Sequence, residues 1–586
     1  MAIPPLNDDE RFPRMAHWFS PSLLLALLNN VILSSIFGRY ADRRLTIAAL
    51  DTVTVEEHLK RATALKTKLT SEHGGVVWFD FVADLGDGFD STYAVATLLG
   101  RKELTIAGHT LPRGQILIMG GDEVYPKASR QAYTNQLRQP YAWASPDHDR
   151  HSDDGVPVFA IPGNHDWYDG LDLFLAFFCR EKHWHLGSWR SQQRRSYFAI
   201  QLTDTWWLWA TDIQLADTMD QPQADYFSRI ATGMPDNSRI IMCSAEPGWL
   251  YTDTNNKSWE ITDYAVGLAV EAKKPDGTSK GHTVPVLISG DTHHYSRYQA
   301  ADGTQFITSG GGGAFLHPTH HLEQNISLKW LTTKKNLELG TLPAEKSDVP
   351  AVPACYPSMD ICRSLVWRNL AFAFTNWDFS LLMGAIYGLC GIAISLRDEW
   401  DSYIIITAIF AWAIMGYTTN QEKSRSPDVL INSAVHSAAQ AAAIIAAGHL
   451  FRLWNEAVPL FPNQWFDVWL RLIRLLAEMG IVGFLVGSTL FGLNLLITCR
   501  WMRMNRNDAF SALRLGRYNN FLRLRIDGDQ VDIFAVGLDD VPKRDDWITN
   551  PDCPAKRDNP YQPVFIAKTS LKPHLIETIG VRPGAP

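Results

Sequence analysis

The sequence predicts a two-sheet α/β sandwich, followed by a bundle of transmembrane helices and a small C-terminal β-rich segment. Between about residues 75 and 313, short apolar runs alternate with helix-like stretches, a pattern typical of sheets whose strands are buried on both faces. Between residues 379 and 499, four windows nearly lack charged residues, and each is about as long as a membrane span. With 586 residues the chain is long enough for several such units.

Composition excludes some functional classes. The formal net charge of −8 argues against a partner that is a nucleic-acid polymer. An enzyme that handles phosphate needs no basic surface if bound metal ions supply the positive charge. Seven scattered cysteines without a CxxC pair indicate reduced thiols in a protein that faces the cytosol.

Residues 1–74 are predicted to form an N-terminal helical or interfacial segment. Its residues 20–37 are apolar but contain Asn29 and Asn30, and a basic run follows them. This pattern lacks the charge order and the cleavage site of a signal peptide. A helix that lies in the membrane interface is the preferred interpretation, and a fifth transmembrane span is the alternative.

The catalytic domain is predicted over residues 75–320, because its apolar runs end in polar or Gly-rich turns where loops carry chemistry. These runs read VVWFDFVAD, QILIMGGD, VPVFAIPGN, TWWLWATD, SRIIMCSAE, VPVLISGD and QFITSGGGG.

Residues 321–378 are predicted as a linker, Pro-rich over 341–359, with a pre-membrane helix, and residues 379–500 as four transmembrane helices. The four windows are 379–396, 402–421, 429–451 and 479–499. The third is rich in Ala, so a soluble core helix is its alternative. Lys and Arg in the flanking loops place both ends of the bundle in the cytosol. The sequence therefore predicts an integral membrane protein with four spans, or five, a cytosolic catalytic domain and a cytosolic C-terminal segment over residues 501–586.

Four segments that follow apolar strands combine Asp, Asn or His with Gly. They read DLGDG at 84–88, GDEVY at 121–125, GNHD at 163–166 and GDTHH at 290–294. Carboxylate and amide oxygens together with imidazole suit divalent Mn, Fe, Zn or Mg. Asp-Gly is also a common turn dipeptide, but four such segments after four strands favour a metal site.

These motifs resemble those of the calcineurin-like metallophosphoesterase superfamily over roughly residues 76–313. The first two, D-x-G and G-D-x-x-Y, resemble the purple acid phosphatase branch. The resemblance implies a two-sheet metallophosphoesterase sandwich that holds two metal ions. It also implies a role for each matching residue: Asp84 and His293 bind the first metal, Asp122 bridges both, Asn164 binds the second, His165 is the general acid, and Asp166 holds the His165 ring.

The sequence departs from the family pattern at three positions. Gly86 stands where many members have His, a difference that the purple branch shares. Asp291 replaces the first His of the G-H-x-H motif, and Ala245 stands where a His is expected, beside Glu246. If Glu246 and Asp291 supply carboxylate oxygens to the second site, a hard ion fits best there. We therefore expect one or two divalent ions, with Mn favoured over Fe, Mg or Zn.

Three more residues are candidates for the metal site or for its surroundings. Asp87 lies just after the first motif, and His294 follows a predicted ligand. Tyr125 is either a metal ligand, as in the purple enzymes, or an aromatic packing residue.

The predicted function is metal-dependent hydrolysis of a phosphate ester or anhydride at the cytosolic face of a membrane. A metal-activated water is the expected nucleophile, and the expected partners are membrane lipids and a phosphorylated small molecule or lipid-linked substrate. The alternative is a catalytically degenerate metal-binding membrane sensor or scaffold. The intact GNHD motif argues against it, because a scaffold needs no proton donor.

Overall fold

A computed structural model describes most of the chain. The described residues are 10–26, 44, 53–146, 155–180, 185–213, 219–252, 256–342, 351–396, 400–421, 426–458, 464–553 and 562–582. Most of the 20–37 segment lies outside these ranges, so the predicted interfacial helix and the alternative membrane span both stay predictions.

The strands are numbered along the chain. They are β1 Val77–Val82, β2 Glu103–Ile106, β3 His109–Pro112, β4 Ile116–Met119, β5 Val156–Ala160, β6 His185–Leu186, β7 Trp189–Ser191, β8 Phe198–Gln201, β9 Trp206–Ala210, β10 Arg239–Ser244, β11 Thr283–Ser289, β12 Tyr295–Ala300, β13 Gln305–Ser309, β14 Asn325–Trp330, β15 Thr333–Leu339, β16 Thr341–Leu342, β17 Val352–Pro353, β18 Cys355–Tyr356, β19 Asn519–Asp527, β20 Gln530–Leu538, β21 Trp547–Thr549, β22 Phe565–Ala567 and β23 His574–Val581.

The α-helices lie between and after these strands. They are Val55–Glu72, Phe89–Gly100, Arg130–Ala132, Gln139–Ala144, Asn164–Trp167, Asp172–Phe178, Gln221–Gly233, Asn256–Val270, Met359–Leu365, Phe372–Thr375, Trp377–Leu396, Trp400–Gln421, Pro427–Ala457, Gln464–Val482, Ser488–Trp501 and Arg506–Ser511. Two π-helical segments, Tyr133–Arg138 and Gly483–Gly487, join neighbouring helices, and three short 3-10 turns lie at Gly248–Tyr251, Val366–Ala371 and Arg544–Asp546.

Two large sheets form a mixed α/β unit. The first has the order β23-β20-β19-β1-β4-β5-β7-β6, and β1, β4, β5 and β7 run parallel in it. The second has the order β14-β15-β12-β13-β11-β10-β9-β8, with β18 beside β12. Parallel strands in both sheets bring several strand ends to a common edge, and the predicted site residues follow these ends.

The two sheets pack face to face around one hydrophobic core. On β1, Val77, Phe79 and Phe81 point into the cluster that both sheets share, while Trp78 and Val82 belong to a second cluster with the helix Phe89–Gly100. This alternation follows from the two-residue repeat of a strand. Helices Gln221–Gly233 and Asn256–Val270 cover the outer face of the second sheet.

The C-terminal segment corrects the predicted domain boundaries. Strands β19, β20 and β23 do not form a separate segment over residues 501–586, because β19 pairs antiparallel with β1 and extends the first sheet. The predicted linker from residue 321 also contains β14 and β15, which belong to the second sheet. One compact unit therefore comprises Met1–Ala16, Asn29–Met359 and Gly516–Pro586, and the other His17–Leu28 and Asp360–Leu515.

Two buried ion pairs explain how the C-terminal strands are held. Arg523 on β19 donates two hydrogen bonds to the Asp80 carboxylate on β1, at 2.7 and 3.0 Å. Glu577 on β23 accepts from the Tyr295 hydroxyl at 2.7 Å and from the Arg297 guanidinium at 2.8 and 3.0 Å. Charges that are buried and paired in this way are costly to break, because removing one partner leaves the other uncompensated.

The second unit is helical, and all four predicted windows lie in helices. Among the residues that the structure describes, three helical stretches are long and apolar enough to cross a membrane: Trp377–Leu396, Pro427–Ala457 and Val468–Trp501. The window at 402–421 lies in the helix Trp400–Gln421, whose shorter apolar stretch is Tyr403–Thr418. Large apolar side chains such as Leu389 and Trp412 are exposed on these helices, as expected for a membrane protein.

Candidate metal centre

The predicted ligands follow the carboxyl ends of buried strands. Asp84 follows β1, Asp122 follows β4, and Asp291 follows β11. All three adopt the left-handed backbone region, with φ of 58°, 53° and 66°. Asp is among the few non-glycine residues that visit this region, and such strain is concentrated at functional sites. The sharp turns direct the chain away from the strand ends as soon as each strand is complete.

Three side-chain groups converge at these strand ends around the hydroxyl of Tyr125. This hydroxyl lies 3.1 Å from Oδ1 of Asp84 and 3.0 Å from Oδ2 of Asp122. It lies 2.9 Å from Nε2 of His293, whose other ring nitrogen bonds the Phe315 carbonyl at 2.6 Å. The sequence alone left two roles possible for Tyr125, packing and metal binding. The structure places its hydroxyl among three predicted ligands.

Glycines allow the carboxylates to lie this close to the backbone. A Cβ atom at position 163 would lie 2.1 Å from Oδ1 of Asp122, and one at position 310 would lie 2.4 Å from Oδ2 of Asp84. Any side chain at either position would displace a carboxylate. The glycines of the GNHD motif and of the run 310–313 are therefore required by the packing of the site.

The carboxylates of the site are buried close to one another. Burial, together with the charges of Asp122 and Asp291, raises the pKa of Asp84 well above its usual value. Burial and the charge of Asp291 raise the pKa of Asp122 to about 8. Oδ2 of Asp84 also has no hydrogen-bond partner among the described residues. A bound cation would stabilise the charged form of both carboxylates, and it would supply a partner for Oδ2 of Asp84.

The donor set fits a divalent ion in chemistry and spacing. Neighbouring ligands of an octahedral ion with bonds of about 2.1 Å lie about 3 Å apart, close to the distances from the Tyr125 hydroxyl. The other observed separation, from Nε2 of His293 to Oδ1 of Asp84, is 3.7 Å. Within the described ranges, however, no group of three His, Cys, Asp or Glu side chains is already arranged as around a bound metal. Tyr125 belongs to none of these four residue types, and its hydroxyl lies among the three predicted ligands.

His165 lies beside this cluster, but Asp166 does not hold its ring. The His165 backbone N–H donates to Oδ1 of Asp122 at 2.9 Å, and its Nδ1 bonds the Pro126 carbonyl at 2.7 Å. The Asp166 carboxylate instead accepts from the backbone N–H groups of Gly163 and Glu123, at 3.0 and 3.2 Å, and from the Tyr133 hydroxyl. The predicted role of Asp166 was wrong: it shapes the GNHD turn, and Pro126 orients the imidazole.

The residues predicted for a second metal site are arranged less tightly. Oδ1 of Asn164 is buried and has no hydrogen-bond partner among the described residues, as expected of an amide oxygen that binds a metal ion. Asp291 donates its backbone N–H to Asp84 at 3.1 Å, and its carboxylate accepts from the Tyr251 hydroxyl at 3.1 Å. Glu246 is half-buried just after β10, and its backbone carbonyl accepts from the Ser244 hydroxyl at 3.1 Å.

The remaining candidates have different surroundings. Asp87 is buried and accepts the Ala16 backbone N–H at 2.9 Å. His294 is fully buried, and burial lowers its pKa to about 3. Neither of its ring nitrogens has a hydrogen-bond partner in the part of the chain that the structure describes.

Sequence reasoning missed one buried residue, Glu123, and a half-buried histidine, His317, also lies near the centre. Glu123 is fully buried, and neither of its carboxylate oxygens has a hydrogen-bond partner among the described residues. Burial and the charges of Asp166 and Asp122 raise the pKa of Glu123. His317 stacks on the ring of His293 at 3.9 Å between centroids. The sequence placed Glu123 directly after a predicted ligand, but its burial depends on the tertiary structure.

Comparison with known proteins adds little to this picture. No family model and no curated protein matches the chain. One solved structure that it resembles is described as GAP50, the anchor in the inner membrane complex of Plasmodium. The two share 13% identity over 41% of this chain and 74% of the other, with a TM-score of 0.31. A similarity at this level carries no argument about function.

Proposed function

We propose that this protein is a metal-dependent phosphoesterase, with the two-sheet architecture of the calcineurin-like metallophosphoesterases, that acts at the cytosolic face of a membrane. One observation carries the proposal: Asp84, Asp122 and His293 converge within about 3 Å of the Tyr125 hydroxyl. These residues come from three different strand ends, separated by up to 209 positions in sequence. Buried carboxylates, a phenol and an imidazole that converge in this way are typical of a metal centre.

Each residue has a defined task in this proposal. Asp84, Asp122, Tyr125 and His293 hold a divalent ion, and the amide oxygen of Asn164 contributes to a second one. Bound ions of this kind supply an activated water and stabilise phosphoryl oxygens.

His165 is the proposed proton donor to the leaving oxygen. Its Nδ1 is engaged by the Pro126 carbonyl, which fixes the ring, and Nε2 is the nitrogen that we assign to the transfer. The hydrogen bond from its backbone to Asp122 positions it at the edge of the metal centre. Asp166 acts indirectly, because it stabilises the turn that carries Asn164 and His165.

The helical unit favours a substrate that is itself bound to a membrane. Three apolar helices are long enough to cross a bilayer, and attachment to the membrane raises the local concentration of enzyme around lipids. We therefore propose a lipid or lipid-linked phosphate ester or anhydride as the substrate, with a soluble phosphorylated molecule as the alternative. The proposed cytosolic orientation depends on the distribution of Lys and Arg around the helices.

Hydrolysis of aryl phosphate esters tests the proposal. The full chain, purified in detergent and loaded with Mn²⁺, is expected to hydrolyse bis-p-nitrophenyl phosphate or p-nitrophenyl phosphate. His165→Ala should lower turnover by about 10²- to 10⁴-fold, as expected for loss of a general acid, and should retain bound metal. The exposed His73 offers a matched control, since His73→Ala should leave turnover unchanged. Equal turnover in both variants would reject the role of His165.

A metal-binding scaffold without activity is the second candidate. It is favoured by Ala245, which stands where the family has a histidine, and by the Tyr251 hydroxyl on Asp291. This function predicts metal binding with no turnover of either aryl ester with Mn²⁺, Fe²⁺, Mg²⁺ or Zn²⁺.

A further inference from the structure

A basic pocket lies beside the helix Val55–Glu72 in the α/β unit. It has a volume of about 530 Å³ and lies among that helix, the segment 192–197 and β8. Phe159 on β5 and Tyr226 on the helix Gln221–Gly233 complete its walls. Among its lining residues is none of the predicted metal ligands, so it is a second site in the same unit.

The charge of this pocket is opposite to that of the whole chain. Five cationic side chains line it, and no Asp or Glu is among its described lining residues; the five are Arg61, Lys68, Arg180, Arg194 and Arg195. The chain as a whole has a formal net charge of −8. Like charges gathered around one cavity repel each other, and a cavity with one sign of charge concentrates ions of the other sign. The pocket is therefore suited to an anion.

The positions of the cations support binding of an anion from solution. Arg61 is exposed, and it forms an ion pair with Glu57 on the surface of the helix, at 2.7 Å. Such an exposed ion pair contributes little to stability, so Arg61 can exchange Glu57 for an anion that binds it more strongly. Arg195 is held more firmly, because its guanidinium lies 5.7 Å from the ring centre of Tyr197 and 5.4 Å from that of Tyr226. Arginine in particular binds phosphate through paired hydrogen bonds.

Part of the pocket lining is apolar. Phe159 and Phe198 are buried, with ring centroids 5.0 Å apart, and Ile200 and Ala62 are also buried. A cavity lined by both cations and apolar side chains fits a ligand that has a charged part and an apolar or flat part.

The pocket is linked to β5, the strand that precedes His165 in the chain. The side chain of Gln193, which lines the pocket, bonds both backbone groups of Ala160, at 2.6 and 2.7 Å. Ala160 ends β5, and Asn164 and His165 follow it after three residues. A ligand in the pocket therefore lies against the strand that leads to the proposed proton donor.

From these observations we propose that the pocket binds a phosphorylated ligand with at least two negative charges, at a site separate from the metal centre. The phosphate groups contact the five cations, and the remainder of the ligand packs on Phe159 and Phe198. The proposal is independent of phosphoesterase activity, because none of the metal-centre residues takes part.

Calorimetric titration of the full chain in detergent, with excess chelator and low salt, tests the proposal. Chelation removes metal-mediated phosphate binding, so any remaining binding is attributed to the pocket. The probes are inorganic pyrophosphate and ATP, and flotation with vesicles that contain phosphatidic acid tests a lipid headgroup. Tighter binding of ATP than of pyrophosphate would support a nucleotide on the apolar part of the lining, and flotation without binding of soluble probes would support a headgroup.

Charge-reversal variants test whether the ligand binds in this pocket. Arg61→Glu with Lys68→Glu reverses two exposed charges in the pocket and should weaken binding roughly tenfold or more for each lost contact. Lys60→Glu with Arg229→Glu makes the same charge change on exposed residues outside the pocket and should weaken it much less. Arg61→Ala with Lys68→Ala is a milder second test. Absence of saturable binding and flotation with all three probes, or equal losses in the pocket and control variants, would overturn the proposal.

Discussion

The hydroxyl oxygen of Tyr125 lies 3.0 Å from Oδ2 of Asp122, which precedes it by three residues. The same carboxylate accepts the His165 backbone N–H through its other oxygen, at 2.9 Å. Asp122 thus connects the phenol and the proposed proton donor. Because the motif GDEVY ends in this tyrosine, the spacing within the motif itself brings the phenol back over the carboxylate.

Tyr125→Phe is expected to weaken metal binding while preserving the fold. The change removes only the hydroxyl that contacts Asp84, Asp122 and His293. Loss of a polar group from a metal centre lowers affinity by roughly 10- to 100-fold. Equilibrium dialysis with Mn²⁺ measures this effect.

Tyr141→Phe is the matched control for that prediction. Tyr141 is also fully buried, but its hydroxyl has no hydrogen-bond partner within the described ranges. Its removal should leave Mn²⁺ affinity unchanged. If both variants bind Mn²⁺ as tightly as the unaltered chain, Tyr125 is a packing residue.

Removal of metal is expected to destabilise the α/β unit. Asp84 and Asp122 are buried side by side with raised pKa values, and a cation relieves their repulsion. A ligand that binds the folded state alone stabilises it by RT ln(1 + c/Kd), where c is the concentration of free ligand, so the unfolding temperature rises with c. Chelator should therefore lower the unfolding temperature measured by tryptophan fluorescence, and Mn²⁺ should restore it.

Metal analysis of the purified chain refines this prediction. The carboxylates of Asp291 and Glu246, in place of imidazoles, favour Mn²⁺ or Mg²⁺ at the second site. Two tightly held zinc ions per chain would contradict that preference. An unfolding temperature that does not respond to chelator or to added metal would contradict the proposed centre as a whole.

Arg523→Met is expected to destabilise the α/β unit by about 3–5 kcal/mol, because it leaves the buried Asp80 carboxylate without its partner. Arg525→Met on the same strand is the control, since Arg525 is about one-third exposed and its ion pairs should contribute at most about 1 kcal/mol. Denaturant unfolding of both variants in detergent measures the difference. Similar losses in the two variants would show that the buried pair does not hold β19 on β1.

The sequence was sufficient to predict the strand ends and most residues that meet there. Asp84, Asp122 and His293 each follow a continuous apolar run, and such runs can be recognised without knowledge of the fold. The predicted helices of the second unit were also recognisable from length and composition. Both kinds of signal depend only on neighbouring residues.

Long-range pairing was not predictable in the same way. The segment around Arg523 has the alternation of a hairpin, but its partner β1 lies more than 400 residues earlier in the chain. The inserted helical unit hides this relationship. The prediction for Asp166 was wrong for a similar reason, because its partners Tyr133 and Glu123 come from other segments.

The most direct test is an anomalous diffraction map, recorded at the manganese edge, from crystals of the full chain grown with Mn²⁺. A peak within about 2.0–2.3 Å of the Asp84, Asp122 and His293 side chains and of the Tyr125 hydroxyl is the predicted result. If the map shows no peak among these four side chains while Mn²⁺ is bound elsewhere, the proposed metal centre is contradicted.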